Sequence, residues 1–225
     1  MASKLPHFAS LVAIAVVLLI PPASGLAAGG GGIPSSSGEA DSSKRIAAGH
    51  YRAGLRARDK ALSYVSQAKK AEDDETARRL YGLARGQFEK AITSQRKAIK
   101  AAPDMYQAHS SLGYALRRIG RYQEAIASYD RALELEPTYG EAVEYRAEAY
   151  LQLGRLEDVQ RAWGQLQNVP ELAGQLMEAM ERWVEKRRRN PGDIDPSRVE
   201  AFAGWVAEQS RAASGPTASA SPRRW

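Results

Sequence analysis

The stretch HSSLGYALRRIGRYQEAIASYDRALELEP, His109–Pro137, carries large residues at helical spacing: Leu112, Leu116, Ile119, Tyr122, Ile126, Tyr129 and Leu133. Small residues lie among them, namely Gly113, Ala125 and Ala132. A glycine inside a helix costs about 1 kcal/mol relative to alanine, so Gly113 requires a reason. Close approach by a second helix would be such a reason.

The segment is one copy of a repeat. Gly86, Gly120 and Gly154 are spaced by 34 residues. So are Phe88, Tyr122 and Leu156, and likewise Ala91, Ala125 and Val159. The series Gln95, Tyr129, Trp163 and Ala98, Ala132, Leu166 keep the same step. Pro103 and Pro137 also keep it, and Pro170 falls one residue early. A period of 34 with helical phase inside each copy signals stacked helical hairpins. A single hairpin cannot bury its apolar face, so it stacks on the next.

His109, Leu112, Gly113 and Leu116 resemble the W-x2-L-G-x2-Y pattern of the tetratricopeptide repeat family, with His and Leu in place of its aromatics. Ala125-x3-Tyr129 resembles its A-x3-F pattern, and Pro137 its closing proline. The resemblance, of an exported bacterial type, implies an all-α fold of antiparallel helical hairpins stacked as a short right-handed solenoid. Gly113 is then small because the second helix crosses there, Ala125 and Ala132 serve the same crossing, and Tyr129 fills the remaining space. Gly120 ends a helix, where a left-handed residue is wanted. In the third copy Ala147 takes the small position, Tyr150 the aromatic one and Gly154 the turn. Val159 and Leu166 replace the small residues of its second helix, which predicts looser packing.

The first copy departs from strict register, because Arg78 and Arg79 would fall on the crossing positions. The stretch GHYRAGLRA instead offers His50, Gly54 and Ala57 at the spacing of His109, Gly113 and Leu116. The favoured expectation is an elongated first hairpin, with helices over 44–71 and 74–101 joined by a polar turn around AEDDE. The alternative keeps Gly86 as the turn and makes 44–70 a separate helix. Beyond Pro170, Leu172, Leu176, Ala179, Met180, Trp183 and Val184 line one apolar face. Asn190-Pro191-Gly192 stops that helix. Asp195 caps the next one, with Pro196 at its first position. Val199, Phe202 and Val206, with Trp205 beside them, form its buried stripe. These two C-terminal helices suit the terminal cap that repeat arrays need.

The N-terminus differs from all that follows. Lys4 is the only charged side chain before Glu39, Leu11–Ile20 is an apolar run of ten, and Pro-Pro and small residues come next. This pattern predicts a secretory signal peptide over 1–25, cleaved after Gly25 or two or three residues later. Ten residues are too short to span a hydrocarbon core of about 30 Å. The expectation is therefore a periplasmic or secreted chain with no stable membrane span after cleavage, an N-terminal membrane anchor being the alternative. Residues 26–43 read as a disordered spacer and 212–225 as a disordered tail. Between them lie repeats over 44–170 (about 44–103, 104–137 and 138–170) and capping helices over 171–211.

The side-chain inventory argues against catalysis. The 225 residues contain no cysteine, and the mature part has only His50 and His109, both on a repeat packing position. A nucleophile–base pair or transition-metal site has almost nothing to work with, so no catalytic, metal or cofactor site is expected. Asp193-x-Asp195 reads as turn and helix cap, not a calcium loop. The glycines at 29–32 precede no strand and no Lys-Ser/Thr, so they form no phosphate loop. The net charge of +6 is moderate and the signs alternate, which does not describe a nucleic-acid stripe. The most basic run, Lys186–Arg189, closes a helix, where cations complement the dipole.

What remains is the concave face that the family lines with the first helix of each hairpin. The resemblance places Gln107, Ser110, Tyr114, Arg117 and Arg118 there from the second copy. From the third it places Glu141, Glu144, Tyr145 and Glu148. Acceptors facing cations could hold an extended peptide by charge-assisted hydrogen bonds. Equally, the charges could pair with each other, or the C-terminal helices could occupy the groove. The lysine–asparagine clamp of the family's chaperone-tail binders is not reproduced at these positions. The expected function is an exported, non-enzymatic adaptor that binds a protein or peptide in the cell envelope. The alternative is an accessory assembly factor for envelope machinery, such as cytochrome maturation, pilus or cell-wall synthesis.

Overall fold

The computed structural model describes residues 36–213. The expected signal peptide, the first part of the spacer and nearly all of the expected C-terminal tail lie outside the described residues. Eight α-helices make up the fold: α1 Ser36–Lys69, α2 Asp74–Ala101, α3 Tyr106–Arg118, α4 Tyr122–Leu135, α5 Gly140–Gln152, α6 Leu156–Leu166, α7 Pro170–Arg189 and α8 Pro196–Ala213. Among the described residues there is no strand.

The first hairpin is the elongated one. α1 and α2 are joined by a turn at 70–73, where Asp73 accepts the Thr76 backbone N–H at 2.7 Å and caps α2. Such a cap typically contributes about 1 kcal/mol. Gly86 lies within α2, so the alternative that made it a turn is wrong. An apolar face that includes Ala84, Phe88, Ala91 and Ile92 continues unbroken past it. α1 also starts earlier than expected, so residues 36–43 are helical and not part of a disordered spacer. No glycine or proline interrupts Glu39–Ala48, and Asp41 pairs with Arg45 one turn on, at 3.7 Å, which favours helix. At the other end α8 runs to Ala213.

The small positions do what the repeat requires, with a refinement. A Cβ on Gly113 would stand 2.7 Å from Cε1 of Tyr129. The glycine thus admits an aromatic ring from α4, and the ring is fully buried. Gly54 plays the same part on α1, where an added Cβ would collide with the side chain of Gln95. Gln95 is buried and donates from Nε2 to the Tyr51 carbonyl at 3.3 Å. Gln95 and Tyr129 are related by the 34-residue step, so both hairpins share one crossing device despite their different lengths. Gly120 and Gly154 have φ of 84° and 66°, the left-handed backbone that ends α3 and α5.

The third hairpin is not loosely packed. Val159 is fully buried and Leu166 nearly so, in a core shared with Leu176 and Met180 of α7. The larger residues of α6 fill space that the cap helix closes. In the cap, Trp183 meets Phe202 edge-on at 5.6 Å and Phe202 stacks on Trp205 at 5.6 Å. Asp195 accepts the Ser197 backbone N–H at 2.8 Å at the start of α8. The basic run is internally committed. Arg188 forks onto Glu200 at 2.8 and 2.7 Å, Arg189 pairs with Glu185, and Arg187 donates to the Pro191 carbonyl at 3.2 Å.

Three glycines therefore separate three effects. Gly113→Leu should destabilise the chain by about 1–3 kcal/mol through overpacking against Tyr129. Gly120→Ala should cost about 1–2 kcal/mol through its left-handed backbone. Gly86→Ala, with nothing within 4 Å of the added methyl, should stabilise by about 0.5–1 kcal/mol. Urea unfolding of the three variants checks this order, and a neutral Gly113→Leu would refute the crossing.

Candidate functional site

The first helices of the hairpins, α1, α3 and α5, line one side of the array, and α7 closes against α5. The contact is built from Gly140, where a Cβ would come within 2.6 Å of Leu172 Cδ1. Between α3, α5 and α7 lies an open cavity of about 350 Å³. Tyr114, Arg117, Arg118, Glu144, Tyr145 and Glu148 line it, together with Gln175, Glu178 and Arg182 of α7.

Six of the nine expected groove residues thus converge on one cavity. The other three do not line it. Gln107 is half-buried in the first turn of α3, and Glu141 is exposed in the first turn of α5. Ser110 is buried within hydrogen-bonding reach of the Tyr139 side chain. The alternative that a C-terminal helix enters the groove is met by α7, though none of its three lining residues was named from sequence. Their signal was the polar stripe Gln175, Glu178, Arg182, which accompanies the apolar face of a helix read only as a cap.

An aromatic ladder runs beside the cavity. Tyr106 meets Tyr139 edge-on at 5.0 Å, and Tyr114 meets Tyr145 edge-on at 5.3 Å. The Arg117 guanidinium lies over both Tyr114 and Tyr145 at 5.4 Å and pairs with Glu148. Arg118 donates to Tyr114 Oη at 3.0 Å and sits over Phe88 at 5.2 Å. Arg182 pairs with Glu178 at 3.1 Å. The groove charges therefore pair largely among themselves, and a C-terminal helix forms one wall. Both features leave the cavity open. Tyr114 and Arg117 hold this network together, so replacing them with alanine would disturb packing as well as any binding.

Glu144 is the exception. It is 2% exposed, and its Oε2 has no hydrogen-bond partner. Burial raises its carboxyl to about 7, against the pull of Arg117 and Arg182. Burial likewise pushes the Tyr139 hydroxyl up to about 12. No cluster of His, Cys, Asp and Glu able to hold a metal ion comes together among the described residues.

The raised carboxyl has a thermodynamic consequence. The unfolded chain ionises Glu144 near the ordinary value of about 4.3, whereas the folded chain ionises it near 7. Stability present at pH 4 is therefore lost as the pH rises through 7. Glu144→Gln should gain on the native chain between pH 4 and pH 8 by on the order of 1–3 kcal/mol. Urea unfolding at both pH values checks it, and parallel pH dependence in the two proteins would refute it.

Two tetratricopeptide repeat family models match the chain, over residues 76–140 and 118–168. A 53-residue segment is 42% identical to the small glutamine-rich tetratricopeptide repeat-containing protein 2 of Mycosarcoma maydis. That match covers 24% of this chain and 15% of the relative, so the chain spans a small part of that protein's length. Among solved structures, the first TPR of Spaghetti (RPAP3) bound to the HSP90 peptide SRMEEVD superposes with a TM-score of 0.41 at 19% identity. The match covers 59% of this chain and 96% of that one. A thermophilic TPR protein of Thermus thermophilus superposes with a TM-score of 0.39 at 26% identity, covering 65% of this chain and 70% of that one. With the repeat period, the crossing glycine and the family matches all falling on the same segment, residues 76–168 belong to the tetratricopeptide repeat family.

Proposed function

We propose that the chain is an exported adaptor whose groove between α3, α5 and α7 holds an extended segment of a partner protein in the cell envelope. Repeats of this family generally mediate protein–protein contacts. The observation that carries the proposal is the convergence of Tyr114, Arg117, Arg118, Glu144, Tyr145 and Glu148 on one open cavity. Tyrosine and arginine are the residue types that most often dominate interfaces. The adaptor has no catalytic role, in keeping with a side-chain inventory that lacks cysteine and offers two histidines after the leader. Export rests on the leader-like pattern of residues 1–25. Among the described residues no helix is long and apolar enough to cross a membrane.

Two measurements test this. N-terminal mass spectrometry of the protein from its native host should find a mature start between Leu26 and Gly29, and an intact Met1 in the membrane fraction would contradict export. A photo-crosslinking amino acid in place of Gln175, exposed at the cavity wall, should trap a discrete partner in cells. The same probe in place of Arg131, exposed on α4, should not. Equal trapping at both positions would move the binding surface away from the groove.

A further inference from the structure

The cavity is lined by three guanidinium groups and three carboxylates, and one of these carboxylates is buried with an oxygen that no donor meets. Glu144 comes from the middle of α5, is 2% exposed, and leaves Oε2 without a partner. None of the guanidinium groups around it donates to that oxygen: Arg117 pairs with Glu148, Arg182 with Glu178, and Arg118 donates to the Tyr114 hydroxyl, while Arg117 and Arg182 attract Glu144 only through space. Arg117 Nε also lacks an acceptor, but its cation is neutralised by Glu148 and covered by the rings of Tyr114 and Tyr145. Two further carboxylates, Glu148 and Glu178, line the same space.

A buried carboxylate without a partner is costly. A neutral isostere at position 144 would remove that cost and give up only the attraction of Arg117 and Arg182. The cost is offset when a cation enters. The volume, about 350 Å³, stands at the low end of the range for ligand pockets. It suits one long side chain better than a run of peptide.

We propose that the cavity receives one lysine or arginine side chain of the bound segment, with Glu144 as its counter-charge. This rests on the groove reading above and deepens it. The occupant is a basic anchor, and so opposite in charge to the carboxylate that a lysine–asparagine clamp would hold. Binding requires an ionised Glu144. The groups that face it or share its cavity are Tyr114, Arg117 and Arg118 from α3, Tyr129 from α4, Tyr145 and Glu148 from α5, and Glu178 and Arg182 from α7. A lysine or arginine stays charged across the range in which Glu144 titrates. Affinity should therefore rise about tenfold from pH 6 to pH 8, as the ionised fraction of Glu144 rises.

The test begins with the full chain panned against a random dodecapeptide library at pH 8. Binders are then measured by titration calorimetry at pH 6 and 8. Expected are peptides with a required basic residue, weakened at least tenfold when it is replaced by norleucine or citrulline. Glu144→Gln should weaken them equally and abolish the pH dependence, with an unchanged circular-dichroism spectrum. Gln175→Trp, which crowds the cavity wall, should block them. Peptides that Gln175→Trp blocks but that ignore both the norleucine swap and Glu144→Gln would overturn this inference and leave the groove reading intact. Peptides unaffected by Gln175→Trp, or no binders at all, would overturn both.

Discussion

The array depends on one contact, a large side chain from the second helix of a hairpin lying over a small residue of the first. Tyr129 over Gly113 sets the approach of α3 and α4. Gln95 over Gly54 sets that of α1 and α2. Ala147 and Trp163 occupy the corresponding positions of α5 and α6, both buried. The glycine costs helix propensity, and the buried area of the ring that enters its place outweighs that cost. Because this contact recurs at a fixed step, each hairpin presents its first helix on the same side, and the groove follows from that.

Much of this was legible in the sequence where spacing carries the information. The 34-residue step and the glycines at 120 and 154 located α3 to α6 to within a few residues. The first hairpin was harder, because its crossing pair is separated by a longer loop of chain than Gly113 and Tyr129. It became legible once Gly54 was aligned with Gly113 through the preceding histidines, His50 and His109. The family matches themselves begin at residue 76, inside α2, and leave α1 outside. The start of α1 was misplaced because serine- and glycine-rich composition resembles a linker, whereas the Asp41–Arg45 pair and the uninterrupted run behind it favour helix.

The site was legible only in part. Membership of the concave face follows from helical phase, and six residues came together as that phase implies. Burial does not follow from phase. Helical phase placed Glu144 on the groove but left open whether the C-terminal helices would cover it, and α7 does. That closure depends on Leu172 meeting Gly140, a contact between parts of the chain that share no period. The same closure explains why α6 carries Val159 and Leu166 where the other repeats carry alanine.

The elongated first hairpin has a consequence for cooperativity. At about 1.5 Å per residue, the 34 residues of α1 reach roughly 50 Å, while the 13 residues of α3 reach about 20 Å. The end of α3 reaches Val65 of α1 and the stretch from Tyr81 to Phe88 of α2, so the turn at 70–73 and the first two turns of α2 lie beyond it. In a repeat array each unit gains most of its stability from its neighbours, so this projecting part of the hairpin is coupled to the rest through its base alone. This tip, one turn of α1 and two of α2, can fray and re-form without opening the groove. A load or a partner attached to it would act on the array as a lever does on its pivot.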